Sequence, residues 1–281
     1  MKNSNKILLF TLLFLSSIDD MIAKDAPGFV ENKGQISYQD GSPASDILFT
    51  LTLDRVRVDI KRGSVHYTFY QVATDPNSAP VITNNPKANI RPTVASTDVI
   101  NSYRLDMEFL GSNGSPEVVG QSPSQFTENF YLQNCGERGV LQVKRYESVL
   151  FKSIYPGIDL LYQIKDGELK YDFIVQANVD PSQIRWQYKG ATALDLDAKG
   201  DITIHSALGE LTEKRPFCYQ KATGQFVPCA YVNRDGVISF DMGVSDHLVV
   251  IDPSLEWATY YGGLLLEFVE DMKVDVDGSN Y

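Results

Sequence analysis

A mirror-symmetric stretch at residues 158–175 limits the folds open to this chain. Asp166-Gly167 is a two-residue hairpin signal, because both residue types tolerate the positive φ of a type I′ turn. If Lys165 pairs with Glu168, then Ile158 faces Val175, Leu160 faces Phe173, Tyr162 faces Tyr171 and Ile164 faces Leu169. All four pairs are apolar or aromatic and fall on one face. The opposite face pairs Lys165 with Glu168 and Gln163 with Lys170. Turn chemistry and side-chain pattern agree on one register, as a strand pair with one buried face requires.

Period-two alternation recurs. Val56, Val58 and Ile60 alternate with Arg57, Asp59 and Lys61; Ile184, Trp186 and Tyr188 with Arg185, Gln187 and Lys189; Leu194 and Leu196 with Asp195 and Asp197. Each reads as a strand with one wet face. Further turns are expected at Lys61-Arg62-Gly63-Ser64, Ala198-Lys199-Gly200-Asp201 and Arg234-Asp235-Gly236. Residues 74–97 hold Pro76, Pro80, Pro86 and Pro92 and read as an exposed loop. The strands before this loop are too few to fold alone and are expected to pack on those after it. The fold class is therefore all-β, an antiparallel, sandwich-like domain.

The first residues read as an export signal. Lys2 and Lys6 precede an apolar run from Ile7 to Leu15, interrupted only by Thr11. That run is far short of the roughly 20 residues of a membrane-spanning helix. Cleavage is expected after Ala23, giving a signal peptide at 1–23 and a secreted or cell-surface mature chain without a transmembrane segment. With 25 Lys+Arg against 36 Asp+Glu the net charge is −11, which leaves no basic footprint for nucleic acid.

Export draws attention to the cysteines. A two-residue loop at Thr223-Gly224 sets Cys218 opposite Cys229, a pairing suited to a disulfide. A three-residue loop with a glycine bulge puts the two side chains on opposite faces instead. Cys135 is left over as a free thiol.

Catalytic motifs are missing: there is no G-x-S-x-G, H-E-x-x-H, C-x-x-C, G-x-G-x-x-G or P-loop. No cofactor is indicated, and the chain reads as a non-enzyme. Asp159 and Asp172 are diagonal neighbours on the non-core face of the hairpin, with Cβ atoms ~7 Å apart, which is compatible with a glycosidase pair. Lys170 shares that face and favours both as ionised carboxylates, which suits a charge-paired outer face better than a general acid. His205 sits with Thr203 on the polar side of its strand. Two stretches imitate calcium loops, Asp195 to Gly200 and Lys273 to Gly278, but each places Lys at a ligand position. The better calcium candidates are Asp275, Asp277 and Asn280. Trp186 and Tyr188, two residues apart, are the candidate sugar-binding rings, although their alternation with Arg185 and Lys189 also fits a core.

Several short motifs occur in order along the chain. They are Phe29 to Gln35 (FVENKGQ), Tyr155 to Asp159 (YPGID), Leu169 to Phe173 (LKYDF), Asp180-Pro181, Gly190, Leu208-Gly209-Glu210, Pro216 to Gln220, and Ile251-Asp252-Pro253. Together they resemble an uncharacterised β-rich domain found at the N-terminus of large exported bacterial proteins, ahead of SBBP repeats of β-propeller type. Thr259 to Gly263 (TYYGG), with Asp271 to Tyr281, resembles the start of the first such repeat. The resemblance implies a β-rich domain at 24–255, a partial repeat at 256–281, and a non-catalytic extracellular module that caps or presents the repeats of the same polypeptide. A carbohydrate-binding or adhesion module is the alternative, with a surface glycan or protein as partner.

Overall fold

A computed structural model describes residues 27–38, 40–53, 56–73, 81–82, 94–95, 99–165 and 167–259. The expected signal peptide, most of the proline-rich loop and residues 260–281, with Asp275, Asp277 and Asn280, lie outside them.

The first strands are β1 (Phe29–Glu31), β2 (Phe49–Leu53), β3 (Val56–Ile60) and β4 (Ser64–Ala73). Two short strands, β5 (Val81–Ile82) and β6 (Val94–Ala95), pair with each other. The long strands β7 (Val99–Phe109), β8 (Glu117–Phe130) and β9 (Val140–Tyr155) come next, then β10 (Ile158–Lys165) and β11 (Glu168–Val175). The remainder are β12 (Arg185–Lys189), β13 (Ala193–Leu196), β14 (Ile202–His205), β15 (Gly209–Gln220), β16 (Ala230–Arg234), β17 (Val237–Asp241) and β18 (Val249–Thr259). No described helix is long and apolar enough to cross a membrane.

All these pairings are antiparallel, and one sheet follows the order β13-β14-β15-β18-β11-β10-β9-β1-β2-β3-β4-β7-β12-β17-β16. β8 pairs with β9 alone, and β9 on its other edge meets β10 and then β1. The sheet almost closes. The first half of β15 pairs with β14, while Tyr219 in its second half bridges Phe226 in the segment leading to β16. The amide of Val227 donates to the carbonyl of Cys218 at 2.8 Å along the same seam. The domain is thus an all-β antiparallel barrel, nearly shut, with β13–β14 projecting as a side hairpin. Closure removes most of the free strand edges that a long open sheet would expose.

The central hairpin has the register read from the sequence, from Ile158↔Val175 to Lys165↔Glu168. Gly167 supplies the positive φ (80°). Tyr162, Tyr171, Leu160 and Phe173 all point inward and are buried. β16 and β17 join through Asp235-Gly236, and β3 and β4 through Arg62-Gly63, as expected. The early strands do pack on the later ones: β1 on β9, and β4 on β7. Phe173, Trp186, Tyr231 and Phe240 form the aromatic centre, each ring within 6.2 Å of a neighbour in the group.

Alternation misjudges one face on each of two strands. Asp59 on β3 is only 2% exposed and is held by Arg57 Nε at 2.9 Å, in a buried polar layer with His66 and Thr68 of β4. On β13, Leu194 packs against the core, but Leu196 is exposed despite its alternation, on the strand that ends the sheet. β18 also pairs beyond residue 255, with Thr259 opposite Gly209.

Candidate functional site

Two groups of ionisable side chains stand out, one inside the barrel and one outside. Inside, the inward parity of β15 carries Leu211 and then Glu213, which is fully buried. Tyrosines from neighbouring walls converge on it. Tyr171 of β11 donates its hydroxyl to Glu213 Oε1 at 2.9 Å, and Tyr188 of β12 donates to the same oxygen. The Tyr231 hydroxyl of β16 faces the carboxyl, but neither it nor Oε2 completes a hydrogen bond of normal geometry. Tyr67 and Tyr162 lie further along, their hydroxyls 3.4 Å apart and both donating to the Met107 sulfur. Burial pushes the Glu213 carboxyl up to about 7, against the pull of the tyrosine hydroxyls. Such a group can hold a proton in the core.

Outside, Asp159 and Asp172 keep the diagonal places read from the sequence, opposite Ile174 and Leu161, and each carboxylate has a partner of its own. Asp159 accepts from the amide of Ser153 at 2.7 Å, where the β9–β10 register shifts and Ser153 takes a positive φ, so it secures a bulge. Asp172 accepts from Gln163 Nε2 at 2.8 Å. Its carboxylate neighbour is Asp252, because Phe173 opposite Ile251 sets Asp172 opposite Asp252 across β11 and β18. Burial, then the charge of Asp252, push Asp172 up to about 7, while Lys165, Lys170 and Lys221 oppose the shift. Burial also raises Asp252. Lys170 therefore does share this face as expected, but burial outweighs it.

The same row continues to β15, where Phe217 lies opposite Asp252. Phe217 is 53% exposed and Phe226 50%. The Phe217 ring centroid is 5.8 Å from that of Phe226 and 5.7 Å from that of Tyr219. Burial and the charges of Asp172 and Asp252 raise the Tyr219 hydroxyl. Sequence reasoning missed this arrangement. Phe217 and Tyr219 have the same i, i+2 spacing as Trp186 and Tyr188. The residue between them, Cys218, points inward, which turns both rings out.

Trp186 and Tyr188, the expected sugar-binding rings, are core residues, 0% and 8% exposed. Cys218 and Cys229 are free, buried thiols in contact with one another. Neither expected loop brings them together. The loop is four residues, Lys221 to Gly224, closed by the Gln220 amide on the Gln225 carbonyl at 2.9 Å. The contact with Cys229, with burial, pushes the Cys218 thiol well up. His205 lies between Asp195 and Glu210 at 3.0 and 2.9 Å. Asp197 accepts from the amides of Lys199 and Asp201, the hairpin-bend role of the first calcium-like stretch. Among the described residues, no three His, Cys, Asp or Glu side chains converge as a metal site would require.

The fold and these groups define an all-β structural domain, a nearly closed antiparallel barrel with an acidic group locked in its core. The chain belongs to the family described as Domain of unknown function (DUF7948), whose profile matches residues 29–254. No curated protein and no solved structure matches the chain.

Proposed function

We propose that this domain is a non-catalytic extracellular module that caps or presents repeats following it in the same polypeptide. The observation that carries this reading is the place of β18. The last described strand lies in the interior of the sheet, between β15 and β11, and is paired along its length up to Thr259 opposite Gly209. A segment that follows is thereby tied to the body through a central strand and not a fraying edge. A terminal unit that closes the open end of a repeat stack adds solubility, since each repeat must bury its face on a neighbour. The interior carboxyl is sealed, which fits a structural role for it. Export is part of the proposal and rests on the signal-like segment 1–23.

The test is to express the native downstream repeats alone and joined to residues 24–259, and to compare soluble yield and thermal midpoint. Greater solubility of the joined form supports capping. Equal behaviour of the two forms ends it. N-terminal sequencing of protein recovered outside the cytoplasm should begin at Lys24; recovery only in the cytoplasm would end the extracellular part.

A further inference from the structure

We propose that the outer barrel face around Phe217, Tyr219 and Phe226 is a carbohydrate-binding site, with Asp172 and Asp252 as the hydrogen-bonding partners of the sugar hydroxyls. This goes beyond the capping role and does not depend on it.

The rings are mounted on rigid backbone. Phe217 and Tyr219 belong to β15, and Phe226 is held by its bridge to Tyr219. Two backbone hydrogen bonds, Gln220 to Gln225 at 2.9 Å and Val227 to Cys218 at 2.8 Å, flank that bridge. The inward anchor between the two β15 rings, Cys218, is fully buried. Rings placed in this way lose little freedom when a ligand arrives, and the entropic cost of binding falls accordingly. Phe217 and Phe226 are half-exposed and Tyr219 is partly exposed, with Phe217 in contact with both others, so the rings form a contiguous apolar surface of the kind that marks a recognition site.

The polar groups beside the rings select the ligand class. Asp252 lies opposite Phe217, and Asp172 lies opposite Asp252. Three lysines, Lys165, Lys170 and Lys221, act on Asp172. The two acids are thus offset by at least as many cations, and a positively charged ligand finds no net attraction. A purely apolar partner would cut both part-buried carboxyls off from water, with only the bond from Gln163 Nε2 to Asp172 left in place, at a cost. A neutral molecule with an apolar face for the rings and hydroxyls for the carboxyls satisfies both conditions, and a sugar ring has that character. Asp172 is raised to about 7. Near neutral pH the pair therefore offers both a donor and an acceptor, matching hydroxyls that do both. Binding would rest on apolar surface plus a few placed polar groups, the usual make-up of small-molecule sites.

Affinity electrophoresis tests this. The mature chain is run on native gels cast with laminarin, xylan, galactomannan or mucin, beside the Phe217→Ala/Phe226→Ala double variant and Asp172→Asn. Both rings are half-exposed, so the double variant should keep the wild-type thermal midpoint. Retardation by at least one polymer, weakened about tenfold or more in the double variant and reduced in Asp172→Asn, is the expected result. The proposal is overturned if no polymer retards the wild type, or if retardation survives in the double variant. It is equally overturned if light scattering finds a self-associated wild type that the double variant turns monomeric without any polymer binding, since the rings would then be a protein interface.

Discussion

The hydroxyl of Tyr171, on β11, donates to Oε1 of Glu213, on β15, at 2.9 Å. The two residues are far apart in sequence, and β18 lies between their strands. Their contact exists because the sheet curls and both side chains point to its inside. A carboxyl so placed is retained by hydroxyl donors from several walls, with Tyr188 on the same oxygen and Tyr231, Tyr162 and Tyr67 close by.

Stability should therefore depend on pH through Glu213. Its carboxyl is raised from 4.5 to about 7 in the fold. Between these values the folded state holds a proton that the unfolded chain has released. The contribution is complete below the unfolded value and is lost as pH rises through about 7. Glu213→Gln keeps the shape without the charge. Urea unfolding should show the variant gaining on wild type between pH 4.5 and pH 8 by on the order of 3 kcal/mol. A constant difference across that range would contradict the assignment.

His66 acts in the opposite direction. Burial, then Lys61 and Arg104, depress its imidazole from 6.5 to about 3. The unfolded chain takes up a proton near 6.5 that the folded one refuses, so stability falls as pH drops from 6.5 towards 3. His66→Gln retains a partner for Ser64, whose hydroxyl lies 3.0 Å from Nε2. The variant should flatten the acid limb of the urea-stability profile, and an unchanged limb would refute the depressed imidazole.

Trp186→Ala should cost about 3–5 kcal/mol of unfolding free energy, because the indole is fully buried against Phe173, Phe240 and Tyr231. Chemical denaturation measures this directly. A loss under about 1 kcal/mol would mean that the ring is not in the core.

Two glycines in turns should respond differently to the same change. Gly167 has φ 80° and nothing within 4 Å of an added Cβ, so Gly167→Ala should carry only the left-handed backbone penalty of about 1–2 kcal/mol. Gly157 has φ 74°, and an added Cβ would sit 2.6 Å from Val179 Cγ2. Gly157→Ala should be the more damaging variant in a thermal melt, and the reverse order would refute the packing of Val179 on that turn.

The thiols should react in two classes. In native, reduced protein a thiol-labelling reagent should modify Cys135 quickly, since Cys218 and Cys229 are buried. Denaturant should release the other two together. Three fast thiols in the native state would show that the barrel seam is open.

The central hairpin was legible because everything that sets its register is local: an Asp-Gly turn with apolar residues mirrored on either side of it. The same holds for the Arg62-Gly63 and Asp235-Gly236 turns. Alternation correctly marked Trp186 and Tyr188 as inward-facing. It erred at Asp59 and Leu196, since period two reports that a strand has two faces but not what covers each one. The Cys218–Cys229 contact also escaped a register argument, because it forms across a four-residue loop at the barrel seam.

On its own, then, the amino-acid order determined the central hairpin, several strands and turns and the antiparallel class, all consequences of interactions between near neighbours. Only the tertiary structure decided that Asp172 lies opposite Asp252, that Glu213 is buried among tyrosines, and that Phe217, Tyr219 and Phe226 share an outer face. Each of those depends on which distant strands become neighbours when the sheet closes, and that choice is made by the burial of the whole apolar surface at once.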